Sequence, residues 1–241
     1  MFPLGVLKKK IDLATLINLR FEGSEGSQVF TDSSPYHRSV TVSSGSPALT
    51  TTNPLSGTSS LLLTTDTSQA KITTNDTLNP ANRALKSIEF RVQIDLDKIA
   101  NNESQLIFTQ GITGTVGSVF CYIGRSATGN GGSVVLVWYN LIFNQIYTQL
   151  GTALSDLSQN NHVCFDLRNN GVLFGFSNGM ESSTSNYQYN GAFTNSLNLG
   201  GTFLDIGNYP FTPLLNQFRG KLDNFKFSNV GRYLTNFTPP V

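Results

Sequence analysis

The sequence predicts an all-β fold, a two-sheet antiparallel jelly-roll sandwich. Short stretches of alternating apolar and polar residues recur along the chain, most clearly with Ile88, Phe90, Val92 and Ile94 set against Ser87, Glu89, Arg91 and Gln93. The segments between them are rich in Ser, Thr, Asn and Gly, the residues that build turns. No stretch keeps a helical period over three turns. Roughly twelve to fourteen strands result, more than an immunoglobulin-type sandwich uses and in keeping with a larger jelly roll.

A chain of 241 residues suits one large β-domain and can bury a sizeable core without disulfides. Net charge is +1 with 13% charged residues, which argues against nucleic acid as a partner. Cys121 and Cys164, too few for a disulfide framework, are read as two buried free thiols, with a pair as the alternative if their strands are neighbours of the right geometry. No apolar run is long enough for a helical membrane span, and Met1 to Lys10 lacks the order of a signal peptide.

Residues 1–16, with Lys8-Lys9-Lys10 between apolar patches, read as an arm and candidate docking segment, and residues 17–241 as the domain. Ile17 to Phe21 is the first strand, and Thr31-Asp32-Ser33-Ser34-Pro35 a turn whose side chains bond following amides. Val40 and Val42 mark a strand, Ser43 to Gly57 reads as loop, and Leu61-Leu62-Leu63 as a buried strand. Ala70 to Thr73 is expected at a sheet edge. Strand Lys86 to Asp95 is expected to leave Ser87, Glu89, Arg91 and Gln93 on a solvated face. Gln105 to Thr109 follows, then Ser118 to Ile123, with large side chains on both faces. Ser133 to Tyr139 and Ile142 to Gln149 suggest a hairpin split by Asn140-Leu141. Asn169-Asn170-Gly171 is the strongest turn signal, joining Asn161 to Arg168 with Val172 to Phe176. Weaker strands are read near Tyr187 to Tyr189 and at Thr202 to Ile206.

The last strand, Phe218 to Phe227, contains a conflict. Strict alternation puts Asp223 on the face of Phe225 and Phe227 and turns Leu222 away. Either a bulge resets the register at Asp223-Asn224, or a carboxylate points into the core and needs partners. Asp223 is read as structural in both cases.

Taken together, several pieces resemble the laminin-G-like branch of concanavalin-A-like jelly rolls, in the form found in virion proteins of tailed bacteriophages. They are Asn18 to Gly23 with Thr31 to Ser34, His162 to Phe165 with Phe174 to Gly179, Leu204 to Asn208, and Phe218 to Asp223 with Arg232-Tyr233 to Pro240. The likeness spans about residues 17 to 240. It departs at Asn160-Asn161, where a Trp is usual, and at Asn178, where an Asp is usual. It implies a structural hydrogen bond for His162, and Arg232-Tyr233 with Phe237 are read as fastening the C-terminus back towards the first strand.

The residues themselves give no catalytic constellation. Glu89 has no acidic partner at the next position on its face, Asp95 and Asp97 read as a solvated strand end, and Asp205 and Asp223 meet only if the fold brings them together. There is no zinc-ligand spacing, EF-hand or nucleophile elbow, and Gly124 to Gly132 lacks the helix of a phosphate loop. No cofactor is expected, with calcium at Glu22, Glu25 and Asp32 as the one alternative that the resemblance raises. A sugar needs aromatic faces and amide partners, for which the candidates are Trp138, Tyr139, Tyr122, Tyr187 and Tyr189. The expected function is a non-enzymatic accessory protein on the surface of a phage particle, a tail or capsid-decoration module adhering to host glycan and docked on other virion proteins. The alternatives are a glycan-cleaving enzyme on the same fold and a cellular lectin domain.

Overall fold

The computed structural model describes residues 15–64, 71–74, 84–85, 87–110, 119–139, 147–167, 173–181, 197–198, 204–207, 216–233 and 235–240. The strands in chain order begin with β1 (Thr15–Leu19), β2 (Val40–Ser44), β3 (Ala48–Thr50), β4 (Ser60–Leu63), β5 (Lys71–Thr74) and β6 (Ala84–Leu85). Next come β7 (Ser87–Ile94), β8 (Ser104–Gln110), β9 (Val119–Arg125), β10 (Gly132–Tyr139), β11 (Tyr147–Leu154) and β12 (Asn161–Leu167). The series ends with β13 (Leu173–Ser177), β14 (Met180–Glu181), β15 (Leu197–Asn198), β16 (Leu204–Ile206), β17 (Asn216–Gln217) and β18 (Gly220–Ser228).

Two sheets of eight strands form the sandwich. Sheet A runs β14-β13-β12-β7-β18-β4-β3, with β1 also on β18. Sheet B runs β11-β10-β9-β8-β16-β5-β2, with β17 parallel on β8. β6 and β15 make a separate pair. The all-β, two-sheet fold expected from the sequence is present.

The inward rows of both sheets form one apolar core. Phe108 of sheet B meets Phe90, Phe225 and Phe227 of sheet A with ring centroids 6.2, 5.1 and 5.6 Å apart. Cys121 and Cys164 are buried free thiols on different sheets, as read from the sequence.

The closing strand resolves its conflict with a bulge. Asp223 pairs with Arg91 and Lys226 with Glu89, so Asn224 and Phe225 together oppose Phe90. Asn224 takes a left-handed φ of 45°. The reset puts Leu222, Phe225 and Phe227 all in the core and Asp223 on the other face.

Several local expectations are corrected. β5 lies between β16 and β2 and so is not an edge strand. β3 pairs with β4 inside the stretch read as loop, where flanking Ser and Pro mask three strand residues. β10 and β11 pair Tyr139 with Tyr147 and run on to Leu154, so residues 140–146 separate them in place of a two-residue turn. β1 begins at Thr15, and Leu16 is buried in the core, which moves the edge of the sandwich into the segment read as an arm. The Asn169-Asn170-Gly171 turn and the Tyr187 to Tyr189 strand lie outside the described residues.

Candidate functional site

The outer face of sheet A carries the polar site. β18 has β7 along one side and, along the other, β4 beside residues 220–222 and β1 beside residues 225–228. Between β1 and β4, at the Asp223-Asn224 bulge, no strand among the described residues pairs on that side. Here a cleft of about 370 Å3 opens, lined by Asn18 and Arg20, Glu89 and Arg91, His162, Asn224 and Lys226, with Glu22, Ser56, Gly57 and Pro240 at its margins.

Cross-strand pairing sets this row. Asn18 stands opposite Lys226, Lys226 opposite Glu89, and Arg91 opposite His162. Glu89 is buried and ionised. Lys226 Nζ donates to its Oε1 at 2.9 Å, and Tyr233 donates its hydroxyl to Oε2 at 2.8 Å. Burial pushes the Glu89 carboxyl up, but Lys226, Tyr233 and Arg232 outweigh it and hold it below the usual carboxylate range. His162 goes the other way: burial lowers it to about 4, against the pull of Glu89, so the imidazole is neutral at pH 7. Its Nε2 lies 3.8 Å from Glu89, and its buried Nδ1 has no partner.

The hydrogen bond expected of His162 is made by its backbone, and its ring makes none to the described residues. The ring packs edge-on against Phe237, centroids 5.7 Å apart, and only the backbone N–H of His162 bonds, to Asn178 Oδ1 at 2.9 Å. The tail is also redirected. Tyr233 stacks on Phe237 at 3.5 Å and Phe237 meets Phe176 at 5.5 Å, so both lie over β12 and β13, away from the first strand. Arg232 does reach β1 as expected, donating to Thr15 Oγ1 at 2.9 Å. The tail covers much of the face that sequence alternation assigned to solvent, and Ser87 and Glu89 are buried there.

Asp223 lies beneath the cleft. It accepts from Ser60 Oγ at 2.9 Å, Ser56 N at 3.0 Å and Asn224 N at 2.7 Å. Burial pushes its carboxyl up to about 7 against these three bonds. Asp205 sits on sheet B and Asp223 on sheet A, so the two do not form a catalytic pair. Glu22, Glu25 and Asp32 are not gathered for calcium either: Glu22 accepts from Thr58, Glu25 from Thr51, and Asp32 from Asn18, Ser34 and Arg38. No three His, Cys, Asp or Glu side chains cluster among the described residues.

The aromatic candidates fall elsewhere. Trp138 and Tyr139 lie on β10 of sheet B, opposite Thr148 and Tyr147, and their side chains are outside the description. Tyr122, half-buried on β9, stacks on Phe120 at 6.2 Å in a second apolar cluster with Leu106, Val135 and Val137. Tyr187 and Tyr189 lie outside the described residues. Sequence reasoning did not assemble the cleft residues, because residues 18, 89, 162 and 226 meet only through strand order. The available signal was polar alternation on three of those strands.

No family model matches the chain, and no curated protein matches it. Solved structures do. The serotype D botulinum neurotoxin binding domain superposes with a TM-score of 0.65 at 15% identity, covering 92% of this chain and 50% of that one. The type C neurotoxin, whose cell entry depends on interaction with two ganglioside molecules, gives 0.64 at 13% identity, covering 92% and 49%. The binding domain of neurotoxin DC, solved in complex with SialylT, gives 0.62 at 13%, covering 91% and 48%. The chain thus spans about half the length of these structures, and at such identities the likeness is one of fold: a two-sheet β-sandwich.

Proposed function

We propose that this protein is a non-enzymatic glycan-binding module on the surface of a virion. The observation that carries the binding reading is the cleft on sheet A, where amide and guanidinium groups of Asn18, Asn224 and Arg20 line a concave site without side-chain hydrogen bonds to other described residues. That is the chemistry a sugar's hydroxyls require. Receptor-binding domains of the same fold, one needing gangliosides for cell entry, support the reading. The non-enzymatic part rests on the carboxylates. Glu89 is held by Lys226 and Tyr233, Glu22 by Thr58, and Asp223 by Ser56, Ser60 and Asn224, so among the described residues no unengaged carboxylate pair stands at the cleft to flank a glycosidic bond.

The virion setting is supported by the resemblance of the closing strand and the Arg232 to Pro240 tail to phage copies of the fold. Residues 1–14 then serve as the docking segment. A glycan array tests binding, and silence across host-surface and bacterial polysaccharides sinks it. Release of reducing ends from any bound polysaccharide would overturn the non-enzymatic claim. For the setting, deletion of residues 1–14 should abolish incorporation into particles while the domain stays folded; unchanged incorporation speaks against it.

A further inference from the structure

We propose that the sheet A cleft binds the carboxylate of an acidic sugar, a sialic or uronic acid, through Arg20 and Arg91. This rests on the glycan-binding reading and adds the chemical class and the place.

Arg91 is half-buried, yet among the described residues its guanidinium donates only to neutral acceptors, Asn160 Oδ1 at 3.3 Å and the Pro240 carbonyl, and its buried Nε–H has no acceptor. No carboxylate lies within ion-pair distance of it among the described residues, and Asp223, its cross-strand partner, is occupied by Ser56, Ser60 and Asn224. A partly buried cation without a counter-ion is costly, and an anion entering the cleft relieves that cost. Burial already pulls the Arg91 guanidinium below its ordinary pKa, with Asp223 opposing.

Arg20 lines the same cleft just past the end of β1, exposed and with no hydrogen bond or ion pair among the described residues. Two guanidinium forks at one site suit a planar carboxylate. Lys226 does not compete, because Glu89 holds it at 2.9 Å. Asn18, Asn224 and Ser56 offer partners for ring hydroxyls. Glu22 and Glu89 in the same lining, in a chain of net charge +1, disfavour a dianionic phosphate. A sugar residue bearing a single carboxylate, terminal or within a chain, is the ligand that balances this lining.

The test is calorimetric titration of the full chain with 3′-sialyllactose, tri-galacturonate and lactose, together with NMR of the arginine Nε–H signals. Saturable binding of an acidic compound, a shifted Arg91 Nε–H signal and no binding of lactose are expected. Arg20→Ala, a surface change, should weaken acid binding by roughly tenfold or more. Binding of sialyllactose alone identifies a terminal sialic acid, and of tri-galacturonate alone an in-chain uronate. Lactose bound as well as the acids, or acid binding indifferent to Arg20→Ala with Arg91 unshifted, overturns the inference. Array binding confined to neutral glycans overturns it while leaving the glycan-binding reading intact; silence on every glycan sinks both.

Discussion

Two buried groups on one face of sheet A titrate in opposite senses. Asp223, ordinarily near 3.8, is pushed up to about 7, so between those values the native state keeps a proton that the unfolded chain has released. Its contribution makes stability fall as pH rises through that window. His162, ordinarily near 6.5, is held at about 4, so the unfolded chain binds a proton that the native state lacks. Its contribution is complete above about 6.5 and is lost as pH falls towards 4. From about 4 to 6.5 the two oppose each other, each with a limiting slope of about 1.4 kcal/mol per pH unit. Single variants should expose them. Relative to wild type, chemical denaturation of Asp223→Asn should show stability climbing more steeply with pH in this window, and His162→Gln should show it falling. Parallel profiles for all three proteins would contradict the assignment.

Among the elements, the C-terminal tail decides what the outer face of sheet A can do. It is anchored by the Phe237 N–H on the Gly179 carbonyl at 2.8 Å, by the amides of Arg232 and Tyr233 on Asp166 at 2.8 and 2.5 Å, and by the Tyr233 hydroxyl on Glu89. Gly179 is required at this crossing. It has a φ of 82°, and a Cβ there would lie 1.9 Å from the Phe237 carbonyl oxygen. Gly179→Ala should therefore cost at least about 1–2 kcal/mol from backbone strain alone and lift the tail. Lower thermal stability together with new carboxypeptidase digestion of residues 232–241 is the expected result. A tail that remains protected would show that its other anchors suffice.

For the whole molecule, the sandwich depends on the aromatic junction between its sheets. Phe108 is fully buried and touches rings from β7 and β18 across the core. Phe108→Ala should destabilise by about 3–5 kcal/mol. Tyr122→Ala, on the outer face of sheet B and only half-buried, should cost clearly less. Equal losses in denaturant midpoint would mean that the second apolar cluster matters as much as the core.

The sequence by itself determined the fold class, most of the strands and the core face of the regularly alternating ones, because alternation is a local record of which side is buried. Ile88, Phe90, Val92 and Ile94 were legible in that way, and so were the structural part of Asp223 and the need for a bulge or a buried acid beside it. Only the tertiary structure chose the bulge, by placing Asn224 and Phe225 opposite Phe90. It also buried Glu89 under a tail well over a hundred positions away, and it set Asn18, Arg91, His162 and Lys226 side by side. The reason is physical. Alternation tells which face a side chain takes, but strand order and covering segments are long-range pairings, and they decide whether a polar face meets water, a neighbouring charge or a cleft.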